Sequence, residues 1–124
     1  MIHGIGSDIV HIPRIRKAIE QYGDKFLNRC FTASEIARAQ GKSDPSAAFA
    51  RLYAAKEALL KALGSGMREG LSWHDLQISW TEMGAPQVTL GDGTQHYLQE
   101  KNVTTHLSMS DDQEYAVAYA IIEK

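Results

Sequence analysis

The 124-residue chain has one cysteine, Cys30, and only three prolines. A lone cysteine excludes an intrachain disulfide and any multi-cysteine metal site. It also suits a reducing, cytoplasmic setting. The opening stretch "MIHGIGSDIV" carries no basic leader and no long apolar run, so neither a secretory signal nor a membrane span is expected. Repeats, low-complexity tracts and linkers are missing too, and the length suits one domain over residues 1–124. The net charge of −2 lacks the basic excess typical of a nucleic-acid-binding domain.

That small net charge hides an uneven spread. Residues 11–42 hold seven Lys and Arg against three acids, while the rest of the chain is acidic. Such a segment suits docking of one acidic partner, with Arg14, Arg16, Lys17, Lys25 and Arg29 as candidates. The plainer reading is a solvated helix face.

Punctuation marks out the first half. Ile and Val with alternate glycines predict a strand at "MIHGIGSDIV". Pro13 opens a helix that Gly23 stops. Thr32 and Glu35 form a capping-box pattern for a helix ending at Gly41. Residues 46–63, with Pro45 before them and Gly64 after, form the strongest helix. In the second half "LQISW", "PQVTL", "THLSMS" and "EYAVAYAII" read as strands, and "TQHYLQEKN" as a short helix. The expected fold class is α+β, a mainly antiparallel sheet packed against one long helix plus shorter helices. The alternation in "EYAVAYAII" predicts an alanine face that another sheet, a subunit or the chain's own core could approach closely.

The long helix carries an anomaly. Wound at roughly 100° per residue, it gathers Phe49, Leu52, Tyr53, Leu59, Leu60 and Leu63 on one face, with Lys56 among them. A buried unpaired ammonium is costly, so a carboxylate or a bound anion should neutralise it, unless the side chain snorkels to water. Glu57 and Lys61 lie four apart beside Ala50, Ala54 and Ala58. They read as a surface ion pair or as part of a site. Gly64, Ser65 and Gly66 read as a helix cap or as N–H donors for a phosphate. On the first strand, Gly4, Gly6 and Asp8 share a face, where the glycines admit a backbone or ligand. Asp8 would then be a second carboxylate for a hard cation such as Mg²⁺, or a cap for the helix near Pro13.

Taken together, "GIGSDIVHIPRI", "YAAKEALLKALGSG" and "LSMSDDQEYAVAYAIIEK" resemble the holo-acyl-carrier-protein synthases, the bacterial phosphopantetheinyl transferases, along the full chain. The resemblance implies a single transferase domain. Its reaction moves 4′-phosphopantetheine from coenzyme A to a serine of apo-acyl carrier protein in fatty acid biosynthesis, releasing adenosine 3′,5′-bisphosphate. It also implies Mg²⁺, a homotrimer and active sites between subunits. Asp8 and Glu57 fall on the metal carboxylates, and Asp8, Glu57 and Lys61 on the catalytic group. Lys56, Lys61, Gly64, Ser65, Gly66, Arg51, Pro86 and Ser110 fall on the coenzyme A side, and Arg14 on a carrier contact. The chain departs from the family at Asp111 (often His), His11 (often Glu), Leu52 (often Arg) and Ala85 (often Lys). Two rivals stand beside this reading: a Mg²⁺-dependent phosphohydrolase and a non-catalytic nucleotide-binding module.

Overall fold

A computed structural model describes residues 1–68, 70–98 and 102–124. Strand β1 (Ile2–His11) leads into helices α1 (Ile12–Tyr22), α2 (Asp24–Cys30), α3 (Ala33–Gln40) and α4 (Pro45–Leu63). Strands β2 (Leu76–Trp80) and β3 (Pro86–Leu90), short helix α5 (Gln95–Leu98) and strands β4 (Thr104–Asp112) and β5 (Tyr115–Glu123) follow. Every strand pairing is antiparallel: one sheet runs β1-β5-β4, and β2 with β3 makes a separate hairpin. The α+β expectation is therefore met. Among the described residues no helix is long and apolar enough to cross a membrane.

The predicted stops and starts act as expected. Pro13 sits in the first turn of α1, and Gly23 ends it with a left-handed φ of 56°. Both halves of the Thr32–Glu35 capping box form. Asp44 caps α4 through the Ala47 N–H, and Gly64 closes it in the left-handed region. Helix α2 was not foreseen: it is seven residues long, and only Leu27 and Cys30 are buried on it. Of the helix expected in "TQHYLQEKN", Gln95–Leu98 is seen, and residues 99–101 lie outside the described set.

Helix α4 is the centre of the molecule. It buries 13 of its 19 residues, so its apolar surface runs nearly all the way round. One flank lies on β1 and β5, and the other is covered by α1, α3 and β2. The β1 glycines explain the first flank. A Cβ on Gly6 would stand 1.9 Å from the Ala58 carbonyl oxygen, and one on Gly4 2.0 Å from that of Ala62. The small side chains let strand and helix backbones touch. On β5, Ala116, Ala118, Ala120 and Ile122 complete this inner face.

The inner face thus packs on the chain's own helix, the last of the three expected occupants. The outer face holds the large residues. Ile5 is 68% exposed, Ile9 63% and Tyr119 61%, with Tyr115 and Ile121 beside them.

Candidate active site

Because side chains alternate along a strand, Asp8 follows Gly4 and Gly6 onto the face of β1 that meets α4. It pairs with Ala118 of β5 and is 18% exposed. It does not cap α1; the cap position is His11, whose side chain makes no cap bond. His11 instead lies 3.7 Å from Glu114 and against Tyr115.

From α4, Lys61 reaches across to β1. Its Nζ donates to the Ser7 carbonyl at 2.8 Å and to Asp8 Oδ1 at 3.3 Å. Glu57, one turn earlier, is half-buried. Burial first, and the charge of Asp8 second, push its carboxyl above the usual carboxylate range; Lys61, the nearby Tyr53 hydroxyl and Arg14 pull it back. Two carboxylates 49 positions apart in sequence therefore repel each other beside one exposed ammonium. Among the described residues no group of three or more His, Cys, Asp or Glu side chains could hold a metal. A carboxylate pair short of positive charge fits Mg²⁺, which takes one or two carboxylates and completes its shell with phosphate oxygens and water.

The basic candidates are all exposed on α1 and α2. Lys25 and Arg29 line a shallow groove with Ala18, Tyr22 and Phe26. Arg14 is close enough to act on both Glu57 and Tyr53 electrostatically, so the basic surface abuts the carboxylates.

Lys56 requires correction. It is fully buried, and its Nζ lies 2.8 Å from Glu35 Oε1, itself fully buried. It also donates to the Trp73 carbonyl at 3.0 Å. Burial pulls the Lys56 ammonium below its ordinary range, and Glu35 opposes that shift. The neutralising anion is a carboxylate of the chain, and Lys56 has no surface left for coenzyme A. Glu35 was read only as a capping residue; no local signal tied it to a lysine 21 positions on.

The "GSG" loop is mainly a cap. The Gly64 N–H donates to Leu60 and Lys61, and the Ser65 N–H to Leu60, which takes two of the three expected phosphate donors. The Ser65 hydroxyl, however, is buried without a hydrogen-bond partner among the described residues.

Arg51 and Pro86 line a pocket of about 240 Å³ with Arg38, Lys42 and Trp80. The Arg38 guanidinium lies over the Trp80 ring, 4.1 Å from its centroid. Leu52 lines the same pocket, and its neighbour Arg51 is ion-paired to Asp111, another of the departures. Ser110 lies on the outer sheet face with His106, which pairs with Glu123 at 2.7 Å. Arg51 and Gly64 are 13 residues apart on α4, roughly 20 Å along its axis. Within one chain, the candidates for the nucleotide do not converge.

Residues 4–120 match the family described as the 4′-phosphopantetheinyl transferase superfamily. A holo-[acyl-carrier-protein] synthase from Azoarcus sp. is 42% identical over 123 residues, covering 99% of this chain and 98% of that protein. The crystal structure of the synthase from Neisseria meningitidis superposes with a TM-score of 0.88 at 34% identity, over the full length of both chains. That from Helicobacter pylori, in complex with coenzyme A, gives 0.85 at 35% identity, covering 96% of this chain and 99% of that one.

Proposed function

The chain belongs to the 4′-phosphopantetheinyl transferase superfamily, and on that premise we propose that residues 1–124 form one transferase domain. The domain transfers 4′-phosphopantetheine from coenzyme A to a serine of apo-acyl carrier protein and releases adenosine 3′,5′-bisphosphate. The observation that carries the reading is the meeting of Asp8, Glu57 and Lys61 between β1 and α4, in a chain whose relatives are synthases. Hydrolase and non-catalytic readings gain no support from those relatives.

In this reading Asp8 and Glu57 hold Mg²⁺, which when bound would draw charge from the diphosphate and make its phosphorus a better electrophile. Lys61, already aimed at this point, stabilises the departing phosphate oxygen. The carrier serine oxygen forms a new bond to the β-phosphorus as the diphosphate bridge breaks, and its proton passes to a base. Glu57 suits that role by position, as a carboxylate one turn from Lys61 and beside Asp8. Arg14, Arg16, Lys17, Lys25 and Arg29 dock the acidic carrier.

Lys61, Gly64, Ser65, Gly66, Arg51, Pro86 and Ser110 bind coenzyme A in the same reading, and Lys56 drops out of that set. The unpartnered Ser65 hydroxyl supports a ligand at the loop. The separation of Arg51 from Gly64 supports a site completed by a second copy. The exposed apolar face of Ile5, Ile9 and Tyr119 supports self-association, as a homotrimer. A cytoplasmic place suits the free, buried Cys30.

Incubation with coenzyme A, Mg²⁺ and an apo-carrier, followed by mass measurement of the carrier, tests the reading. The carrier should gain one phosphopantetheine, and a chelator should stop the gain. Release of phosphopantetheine to water would favour the hydrolase.

A further inference from the structure

Two of the molecule's buried charged side chains lie outside the exposed site, and they face each other. Glu35 uses both of its oxygens. Oε1 accepts from the Thr32 N–H at 2.8 Å and from Lys56 Nζ at 2.8 Å, and Oε2 accepts from the Ile78 N–H at 2.7 Å. Lys56 adds the Trp73 carbonyl at 3.0 Å and lies near the Phe31 ring. One ion pair therefore joins α3, α4, the turn before β2 and β2 itself. Buried pairs of this kind add little net stability over apolar side chains of the same volume, so stability alone is a weak reason for this one.

Its place in the chain suggests another role. Lys56 directly precedes Glu57 on α4, so the two side chains leave the helix roughly 100° apart and a turn of the helix moves both. The Trp73 ring, whose carbonyl Lys56 holds, lies 5.4 Å from the Tyr53 ring. Tyr53 is one turn before Glu57 and in reach of it. Glu35 lies in the first turn of α3, just after the helix that carries Lys25 and Arg29, so the pair ties the end of that basic stretch to the carboxylate-bearing helix.

We infer that Glu35 and Lys56 are positioning residues for phosphopantetheinyl transfer, a buried clamp that sets the rotation of α4 and the distance from Glu57 to the docked serine. The inference rests on the transferase reading, because its readout is the rate of that transfer. A misplacement of about 1 Å at a reacting group can cost about a hundredfold in rate.

The test compares Lys56→Met with the double variant Glu35→Gln/Lys56→Met, each assayed below its own melting temperature alongside the wild type. Lys56→Met leaves a buried carboxylate without its cation and should lower Tm by about 10–20 °C. The double variant leaves no unpaired charge and should recover most of that loss. The clamp predicts that kcat falls at least about tenfold in both, with the KM for coenzyme A and for the carrier within about twofold of wild type. Recovery of kcat together with Tm in the double variant would reduce the pair to a structural one and overturn the inference. A raised KM for coenzyme A with kcat intact would overturn it as well, by making Lys56 a ligand contact. An inactive wild type would instead sink the transferase reading itself.

Discussion

Two lysines five residues apart on one helix have opposite surroundings. Lys56 points into the α3–β2 flank of α4, has no exposed surface and is held by Glu35. Lys61 points over the β1 flank, is 55% exposed and stands beside Asp8. The buried flank completes its charges internally. The exposed flank leaves Asp8 and Glu57 with their negative charges unbalanced beside one ammonium. The same side-chain type is fully sequestered in one place and turned to solvent in the other.

The comparison can be broken by removing each side's charges in turn. Asp8→Asn or Glu57→Gln should cut transfer by about a hundredfold to a thousandfold without loss of Tm. Glu57 titrates higher in the folded chain than in the unfolded one, so its ionisation costs stability as pH rises from the ordinary carboxylate range through its folded value. Asp8→Asn should therefore narrow that loss and bring the Glu57 titration down in metal-free protein, as followed by carboxyl NMR. Lys61→Met should lower kcat by about a hundredfold and leave Tm nearly unchanged, the reverse emphasis to Lys56→Met. Equal thermal losses from the two lysines would erase the contrast.

Smaller effects sharpen it. Gly6→Ala forces a methyl into the Ala58 carbonyl and should destabilise the fold by about 3 kcal/mol, read as a lower denaturant midpoint. Arg14→Glu should raise the KM for the carrier about tenfold, more at low salt than at high, and spare that for coenzyme A. Tyr53→Phe removes a neighbouring hydroxyl that lowers the Glu57 carboxyl, so the acid limb of kcat/KM should move to higher pH. No movement would separate that limb from Glu57.

Much of the exposed flank was legible because its signals are local. Alternating glycines before Asp8 announce a close approach, and the i,i+4 spacing of Glu57 and Lys61 puts them on one edge of α4. The buried flank was legible only as a problem. Lys56 demanded an anion, but Glu35 was already accounted for by the capping box, and sequence cannot show that one carboxylate does both tasks. The occupant of the small face of β5 stayed open for a related reason: alternation separates large from small residues without saying what covers either side. The "GSG" loop was ambiguous because a left-handed cap and a phosphate nest use the same residues.

The pairing of β1 with β5 has a kinetic consequence. Among the described residues Asp8 has one strand neighbour, Ala118, which is made more than a hundred residues after it. Such long-range closure slows folding. A nascent chain can wind α4 early and carry Glu57 and Lys61 on it, but the pairing that fixes Asp8 beside them waits for β5, so the two carboxylates meet late in assembly.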